Sequence, residues 1–515
     1  MSDHSPAAAG PDDTEIQALP ERGRMYVVLS TVALTLFLAS TGQSIVSTAL
    51  PEIVSDLGGL SYITWVVTAY LLASTVGAPI AGKLGDMYGR KIVLQCAIGI
   101  FLVGGWVAGS AWNMPVLILG RSIQGAGGGA LIVVSLAVVA DMLPPRERAK
   151  WQGAFSAVFG LSTVLGPLVG GLLVQTVGWH WIFFVNIPFG IAAFVVLTRT
   201  LERQTVHAPH TLDFAGAGLL MVFLSSVVLM ANIGGTMLPW ISIPVIALIG
   251  LIALSLAGFL FVESRAAEPV IPLLLFRVRN FQVANGVNLL VGMVMFGTIS
   301  FIPMYLQVVK GIAPADSGVY LIAMMAGLMT ASVSSGRIIT AFGRYRFLPM
   351  LATAILCGAM FALSRMTVET PLWQLALNLY FIGLGIGPNL AVGVVAIQSS
   401  IPREHMGVGT ASANMFRLTG GAVGTSIFGA MFNHGMQLHV APLLPQIESV
   451  RQITTTFVAE LETGVKAEVI EAFAQAISPM FLFGAVMAGL AFLVSTRLVE
   501  QPLAGPAPAR QAPAE

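Results

Sequence analysis

Charge is what this chain has least of. Asp, Glu, Lys and Arg make up 10% of its 515 residues, against about 25% in a soluble domain. The 25 basic and 24 acidic side chains leave a net charge of +1, so no excess of one sign points to nucleic acid as a partner. Cysteine is nearly absent. Cys96 and Cys357 both sit in apolar runs, with no C-x-x-C spacing for a metal and too few thiols for a disulfide framework. The histidines (His4, His180, His207, His210, His405, His434 and His439) fall in tails and connections. The Ser/His, paired-Asp or metal constellation that an intramembrane enzyme needs is not there, so a catalytic role is not expected, nor is a cofactor. No basic start followed by a short apolar core and a small-residue cleavage site is present, so no removed signal peptide is expected.

What the chain does have is apolar sequence, 56% of it, in long runs that recur from Met25 to Val494. A helix needs about 20 such residues to cross the hydrocarbon layer. Spans are expected near 25–46, 63–84, 92–111, 116–139, 154–177, 181–197, 214–233, 241–262, 281–306, 317–339, 347–363, 372–397, 408–432 and 477–494. The fold class is therefore an all-α polytopic membrane protein with 14 transmembrane helices, embedded in a lipid bilayer.

Basic residues give the direction. Arg90 and Lys91 follow the second span; Arg146, Arg148 and Lys150 the fourth; Arg199 and Arg203 the sixth; Arg265, Arg277 and Arg279 the eighth. Arg344 and Arg346 follow the tenth, and Arg403 the twelfth. Opposite connections hold only Lys310, Arg365, Arg451 and Lys466. This asymmetry predicts both termini in the cytoplasm; the expected location is a bacterial-type cytoplasmic (inner) membrane, crossed many times.

A repeat divides the chain. Gly82-Lys-Leu-Gly-Asp86-Met-Tyr-Gly89-Arg90 closes the second span, and Gly336-Arg-Ile-Ile-Thr340-Ala-Phe-Gly343-Arg344 closes the tenth. Gly, Gly and Arg recur at the same spacing. The predicted organisation is a cytoplasmic tail (1–24), a six-helix lobe (25–203), a two-helix insert (204–265), a second six-helix lobe (266–500) and a disordered cytoplasmic tail (501–515). Two such lobes around a midplane cavity are the architecture of alternating-access carriers.

Four stretches then resemble the major facilitator superfamily, in its fourteen-span drug:proton antiporter branch: Gly82 to Lys91 (GKLGDMYGRK), Leu119 to Gly129 (LGRSIQGAGGG), Gly160 to Gly171 (GLSTVLGPLVGG) and Trp179 to Gly190 (WHWIFFVNIPFG), joined by Gly409 to Gly424 (GTASANMFRLTGGAVG). The similarity covers about residues 25–500. It implies a secondary active, multidrug-type efflux transporter that exchanges protons for small-molecule substrates by alternating access. In that pattern Asp86 faces the start of the thirteenth span, whose helix dipole would stabilise a carboxylate, and Arg90 pairs with Asp141. The plainer alternative is that these charges only anchor helix ends. Gly166 and Pro167 would bend the fifth span and seal the interface between lobes, or simply pack closely. Arg121, with Gln124 one turn on, sits in the motif associated with coupling protonation to movement. Arg121 and Arg417 are the charges placed deep in the bilayer, where each is expensive; Arg417 either serves the cavity or binds backbone carbonyls.

One position departs from the family. Seven residues before Ala49-Leu50-Pro51 the branch usually carries Asp, and here stands Gly42. No Asp or Glu falls in the middle of any expected span, so the proton-carrying group is open, and an uncoupled carrier of a lipid or metabolite remains the alternative. The same absence disfavours dications and predicts neutral or anionic amphipathic substrates. Expected cavity residues are Gln43, Ser44, Ser47, Gln124, Asn285, Asn288, Asn378, Asn389, Asn414 and Arg417, each of which could equally bond a neighbouring helix. The external loop 433–476 carries Val458, Leu461, Val465, Val469 and Phe473 at helical spacing, predicting an amphipathic helix on the outer surface, over the exit or packed on the bundle.

Overall fold

The computed structural model describes residues 22–501, apart from 59–61, 203–212, 235–238, 240, 313 and 444–462. Its long helices are α1 (Arg22–Ser44), α2 (Ile63–Tyr88), α3 (Arg90–Gly109), α4 (Met114–Met142), α5 (Pro145–Val177), α6 (Asn186–Thr200), α7 (Phe214–Ile233) and α8 (Ile243–Glu263). They continue as α9 (Arg279–Val308), α10 (Pro314–Phe342), α11 (Phe347–Ser364), α12 (Leu372–Gln398), α13 (Met406–Gly435) and α14 (Thr463–Ser495). Among the described residues, 13 helical stretches are long and apolar enough to cross a membrane. The fourteenth, α13, is 30 residues long, about 45 Å at the usual rise. Gly, Ser, Thr, Asn414 and Arg417 make it too polar to meet the same measure, and it can be polar because most of it is buried in protein.

Packing sorts the helices into two bundles. In the first, α4 packs on α1, α2 and α3, and α1 also meets α5 and α6. In the second, α9 packs on α12, α13 and α14, α11 on α12 and α14, and α10 on α12. The bundles meet where α2 lies on α13 and where α5 lies on α10 and α12. α7 and α8 pack on one another, and α7 packs on α2 and α13. α8 stands at the edge: Leu254 is 73% and Phe261 58% exposed, an apolar surface that lipid would cover.

The two largest departures from the expected boundaries are at the starts of α5 and α14. α5 starts at Pro145 rather than 154, because the charged stretch after Pro144-Pro145 is itself helical. α14 starts at Thr463 rather than 477: Pro479 lies inside it without ending it. Val469 and Phe473 are fully buried, so the apolar stripe expected of a separate outer helix is, where described, the first turns of α14 packed on the bundle. Val458 and Leu461 lie outside the described residues.

Candidate functional site

The two bundles are joined at the end of the molecule that carries Arg90, Arg146, Arg344 and Arg403. There the repeated motif explains itself residue by residue. Gly89 and Gly343 have φ of 90° and 69°, a left-handed backbone that favours glycine. Gly82 and Gly336 are contact points. A Cβ on Gly82 would lie 2.7 Å from the Gly407 carbonyl oxygen, and one on Gly336 would lie 2.6 Å from that of Ala149, so each glycine lets a helix of one bundle touch backbone of the other.

Asp86 faces the start of α13. Its Oδ1 and Oδ2 accept hydrogen bonds from the Gly407 and Val408 amides, each at 3.0 Å. These are orphan donors of the first turn of α13, whose own N-cap residue, His405, makes no side-chain cap bond. The cap comes from the opposite bundle. Arg90 pairs with Asp86 and, through Nε, with Asp141 Oδ2 at 3.1 Å. The Asp86 and Arg90 side chains are only 6% exposed, so charge, dipole and burial act together.

Arg121 is wholly buried inside the first bundle. Its Nε donates to the Val66 carbonyl at 3.1 Å, and one terminal nitrogen donates to the Gly42 carbonyl at 2.8 Å and to Gln124 Oε1 at 2.7 Å. The guanidinium carbon lies 4.3 Å from the centre of the Tyr70 ring, a cation–π contact, and Tyr70 donates to the Ala39 carbonyl at 2.6 Å. Arg121 thus ties α1, α2 and α4 together at the height of Gly42, through the oxygens of neutral groups. Gln124 belongs to this cluster, not to a cavity.

The glycines of α5 face two different ways. A Cβ on Gly160 would meet Leu328 at 3.2 Å and Met329 at 3.4 Å, across the interface. On Gly166 it would meet Ser44 and Ile45, and on Gly170 it would lie 2.7 Å from the Ile45 carbonyl oxygen. The expectation that Gly166 and Pro167 seal the junction between lobes is therefore corrected at the glycine: in this state Gly166, with Gly170, seats the end of α1 in its own bundle, while Pro167 lies inside α5 without ending it. α5 leaves α10 and crosses to α1 as it rises, which a helical face read from sequence cannot reveal.

Between the bundles lies a cavity of about 60 Å³. Leu36, Ile132, Leu136, Phe155 and Phe159 give it apolar walls from the first bundle, and Leu390 and Val394 from the second. Its polar lining is Gln152, Ser156, Asn288, Thr410, Asn414 and Arg417, with no carboxylate. Of the expected cavity residues, Asn288, Asn414 and Arg417 meet here. The others do not. Ser44 donates to the Ser162 carbonyl at 3.1 Å and Ser47 to that of Ser44 at 2.8 Å. Gln43 and Asn378 are half-buried elsewhere. Asn285 is buried away from the cavity with neither amide atom bonded, and Asn389 donates to Gly385 at 2.8 Å beside a smaller void within the second bundle.

Three features escaped the sequence reading. Gln152 lies in helix that was taken for a connection. Pro145-Arg146-Glu147 opening α5 is echoed by Pro402-Arg403-Glu404 before α13, a second repeat whose two copies receive the two glycine contacts. Glu263, 3% exposed at the end of α8, accepts from the Ile271 amide at 2.5 Å. Its other oxygen and Asp213 Oδ2 converge over Gly216, and neither has a hydrogen-bond partner. At the opposite end of the molecule two bonds of the described residues lie within a bundle: Trp179 Nε1 donates to Asp56 at 2.9 Å and Tyr305 to the Thr367 carbonyl at 3.0 Å.

The chain matches the Major Facilitator Superfamily over residues 32–425. It is 34% identical to the multidrug transporter protein MdtP of Bacillus subtilis over 445 residues, 86% of this chain and 82% of that one. It is 33% identical to multidrug resistance protein 3 of the same species, covering 79% of each chain. Among solved structures, the human organic anion transporter MFSD10 shares the fold at TM-score 0.63 and 15% identity, over 92% of this chain and 100% of that one.

Proposed function

We propose that this chain, which belongs to the major facilitator superfamily, is a secondary active efflux transporter that exchanges protons for neutral or anionic amphipathic small molecules. Its relatives include a multidrug transporter protein and a multidrug resistance protein, and a multi-pass membrane transporter is the class to which the whole chain conforms. The observation that carries the mechanism is the trans cap of Asp86 on Gly407 and Val408. A carboxylate of one bundle held by amides of the other is a contact that can be made and released as a unit, as alternating access requires.

The arginine-rich end is cytoplasmic in this reading, as are both termini, and the membrane is the bacterial-type inner membrane. The state described is closed toward the cytoplasm, and residues 25–203 and 266–500 are the two moving lobes, with 204–265 an insert at their side. Carboxylates that would take up the proton are Asp86, Asp141 and the Asp213–Glu263 pair. The second reading, an uncoupled carrier, is favoured by one position: Gly42 offers the Arg121 guanidinium a carbonyl oxygen in place of a carboxylate.

Inside-out vesicles with an acid interior separate the two. Addition of matched neutral, anionic and cationic amphiphiles is expected to dissipate the gradient for the neutral and anionic compounds, relative to vesicles without the protein. Accumulation of labelled compound with the gradient intact would establish the uncoupled carrier instead.

A further inference from the structure

The cavity between the bundles is too small for a drug-sized body, since ligand pockets run to about 300–1,000 Å³. At about 60 Å³ it has the size of a head group. Its chemistry is one-sided. Arg417 Nε, Asn414 Nδ2 and Gln152 Nε2 are buried nitrogen donors, and none has a hydrogen-bond partner. Gln152 is 2% and Asn414 5% exposed, so water does not make up the deficit cheaply. The Asn414 amide is oriented by Arg417, whose terminal nitrogen donates to Asn414 Oδ1 at 2.5 Å. That bond fixes the oxygen on Arg417 and leaves the amide nitrogen as a free donor. The Arg417 guanidinium carbon lies 5.2 Å from the ring centre of Phe159, which holds the group from the opposite bundle. The one charge lining the cavity is therefore a cation with no carboxylate beside it, and an unpaired charge in a poorly hydrated space calls for a counter-ion.

Resting on the transporter reading, we infer that this cavity is a head-group site for singly charged organic anions, carboxylates or sulfonates with an apolar body, held by Arg417 and Asn414 of α13 and Gln152 of α5. The donors come from both bundles, so an anion seated among them bridges the interface and favours the state in which α2 lies on α13. The apolar body follows Phe155, Phe159 and Leu390 once the bundles part. Guanidinium and amide donors match the planar, two-oxygen face of a carboxylate, and such donors cannot accept a hydrogen bond from an ammonium group.

The test uses the purified full chain in nanodiscs and three probes of one shape: naphthoate, naphthamide and naphthylmethylammonium. Naphthoate is expected to bind about tenfold more tightly than the amide, and the ammonium more weakly than either. Arg417→Gln should erase the preference for naphthoate over naphthamide, with size-exclusion behaviour reporting that the variant is folded. Arg417→Lys should keep most of the preference. Equal or tighter binding of the ammonium by the unaltered protein overturns the proposal without any variant, and so does a naphthoate preference that survives Arg417→Gln. Vesicle transport of the same probes keeps the two readings apart. Tight naphthoate binding with no transport of any probe sinks efflux and leaves the site. Transport of the ammonium with no naphthoate preference sinks the site and leaves efflux.

Discussion

The two seams between the bundles are copies of one design, and they differ in what stands beyond the shared glycine. In both, a glycine at the end of a helix rests on the start of a helix opposite: Gly82 on Gly407, and Gly336 on Ala149 and Lys150. Beyond the glycine the copies diverge. Asp86 caps α13 with two charge-assisted bonds and holds a buried Arg90 against Asp141. Thr340, its counterpart, donates one neutral bond to the Arg146 carbonyl at 3.1 Å, and Arg344 is exposed. α5 also starts with Pro144 and Pro145 and has no side-chain cap. The first seam is thus closed by a buried carboxylate, and the second, where the Arg146 guanidinium lies against Gly343, carries a hydroxyl at the matching position. Repetition of shape does not imply repetition of chemistry.

The largest expected effect lies in the bundle that supplies Asp86, toward its other end. Arg121→Ala is expected to abolish transport while leaving the protein folded, because the remaining Gly42 and Val66 carbonyls lose a partner but a buried charge disappears with it. Uptake into vesicles measures the first statement and size-exclusion behaviour the second. Full activity would remove Arg121 from the mechanism and leave the comparison resting on Asp86 alone.

Gly82→Val should come next, and it tests what the copies share. A Cβ at this position already falls 2.7 Å from the Gly407 oxygen and 2.9 Å from Ala411 Cβ, so a branched side chain pushes α2 off α13. Gly336→Val meets Ala149 and Lys150 backbone at 2.6 and 2.9 Å and should act equally. Both are expected to reduce transport at least about tenfold, a loss of some 1.4 kcal/mol or more from the closed arrangement. Labelling of a cysteine placed in the cavity, from the arginine-rich side, should rise in both. A tolerated Gly336→Val would mean that the neutral seam parts without cost.

Asp86→Asn isolates the charge. Asparagine keeps one oxygen for one amide, sets an NH2 group against the other and removes the interaction with the helix dipole. Caps and dipole interactions of this kind contribute about 1–2 kcal/mol, so spin-label distances across α2 and α13 should shift about five- to thirtyfold toward the separated state. Because Asp141 stays on Arg90, the change should be smaller than that of Gly82→Val.

How much of this was legible in advance follows from physics. Apolar runs bounded by Pro, Gly or charge placed most helices closely; α7 runs from Phe214 to Ile233, the same limits that its sequence suggests. The starts of α5 and α14 were missed because charges at a helix end resemble a loop until the partner that buries the opposite face is known. That error hid Gln152, the cavity donor supplied by α5. Asp86, Arg90 and Asp141 were readable from a motif whose geometry is local to helix ends. Arg417, Asn414 and Asn288 were readable because polar groups in an apolar span are costly. The facing of Gly166 and Gly170, and the meeting of Asp213 with Glu263, depend on which helices cross, and composition carries no trace of that.

The smallest expected effect is that of Thr340→Ala, and it sharpens the comparison most. The Thr340 hydroxyl has one proton and two carbonyls to offer it to, Arg146 at 3.1 Å across the seam and Gly336 at 2.8 Å within its own helix. The shorter, intrahelical bond is the stronger competitor, so the contact between bundles receives only part of a neutral hydrogen bond, itself about 1 kcal/mol. A shift of about twofold or less in the α5–α10 distance distribution is expected, with transport nearly unchanged. If Thr340→Ala instead matched Asp86→Asn, the charge at position 86 would contribute nothing beyond its hydrogen bonds, and the two seams would be equivalent in energy as well as in shape.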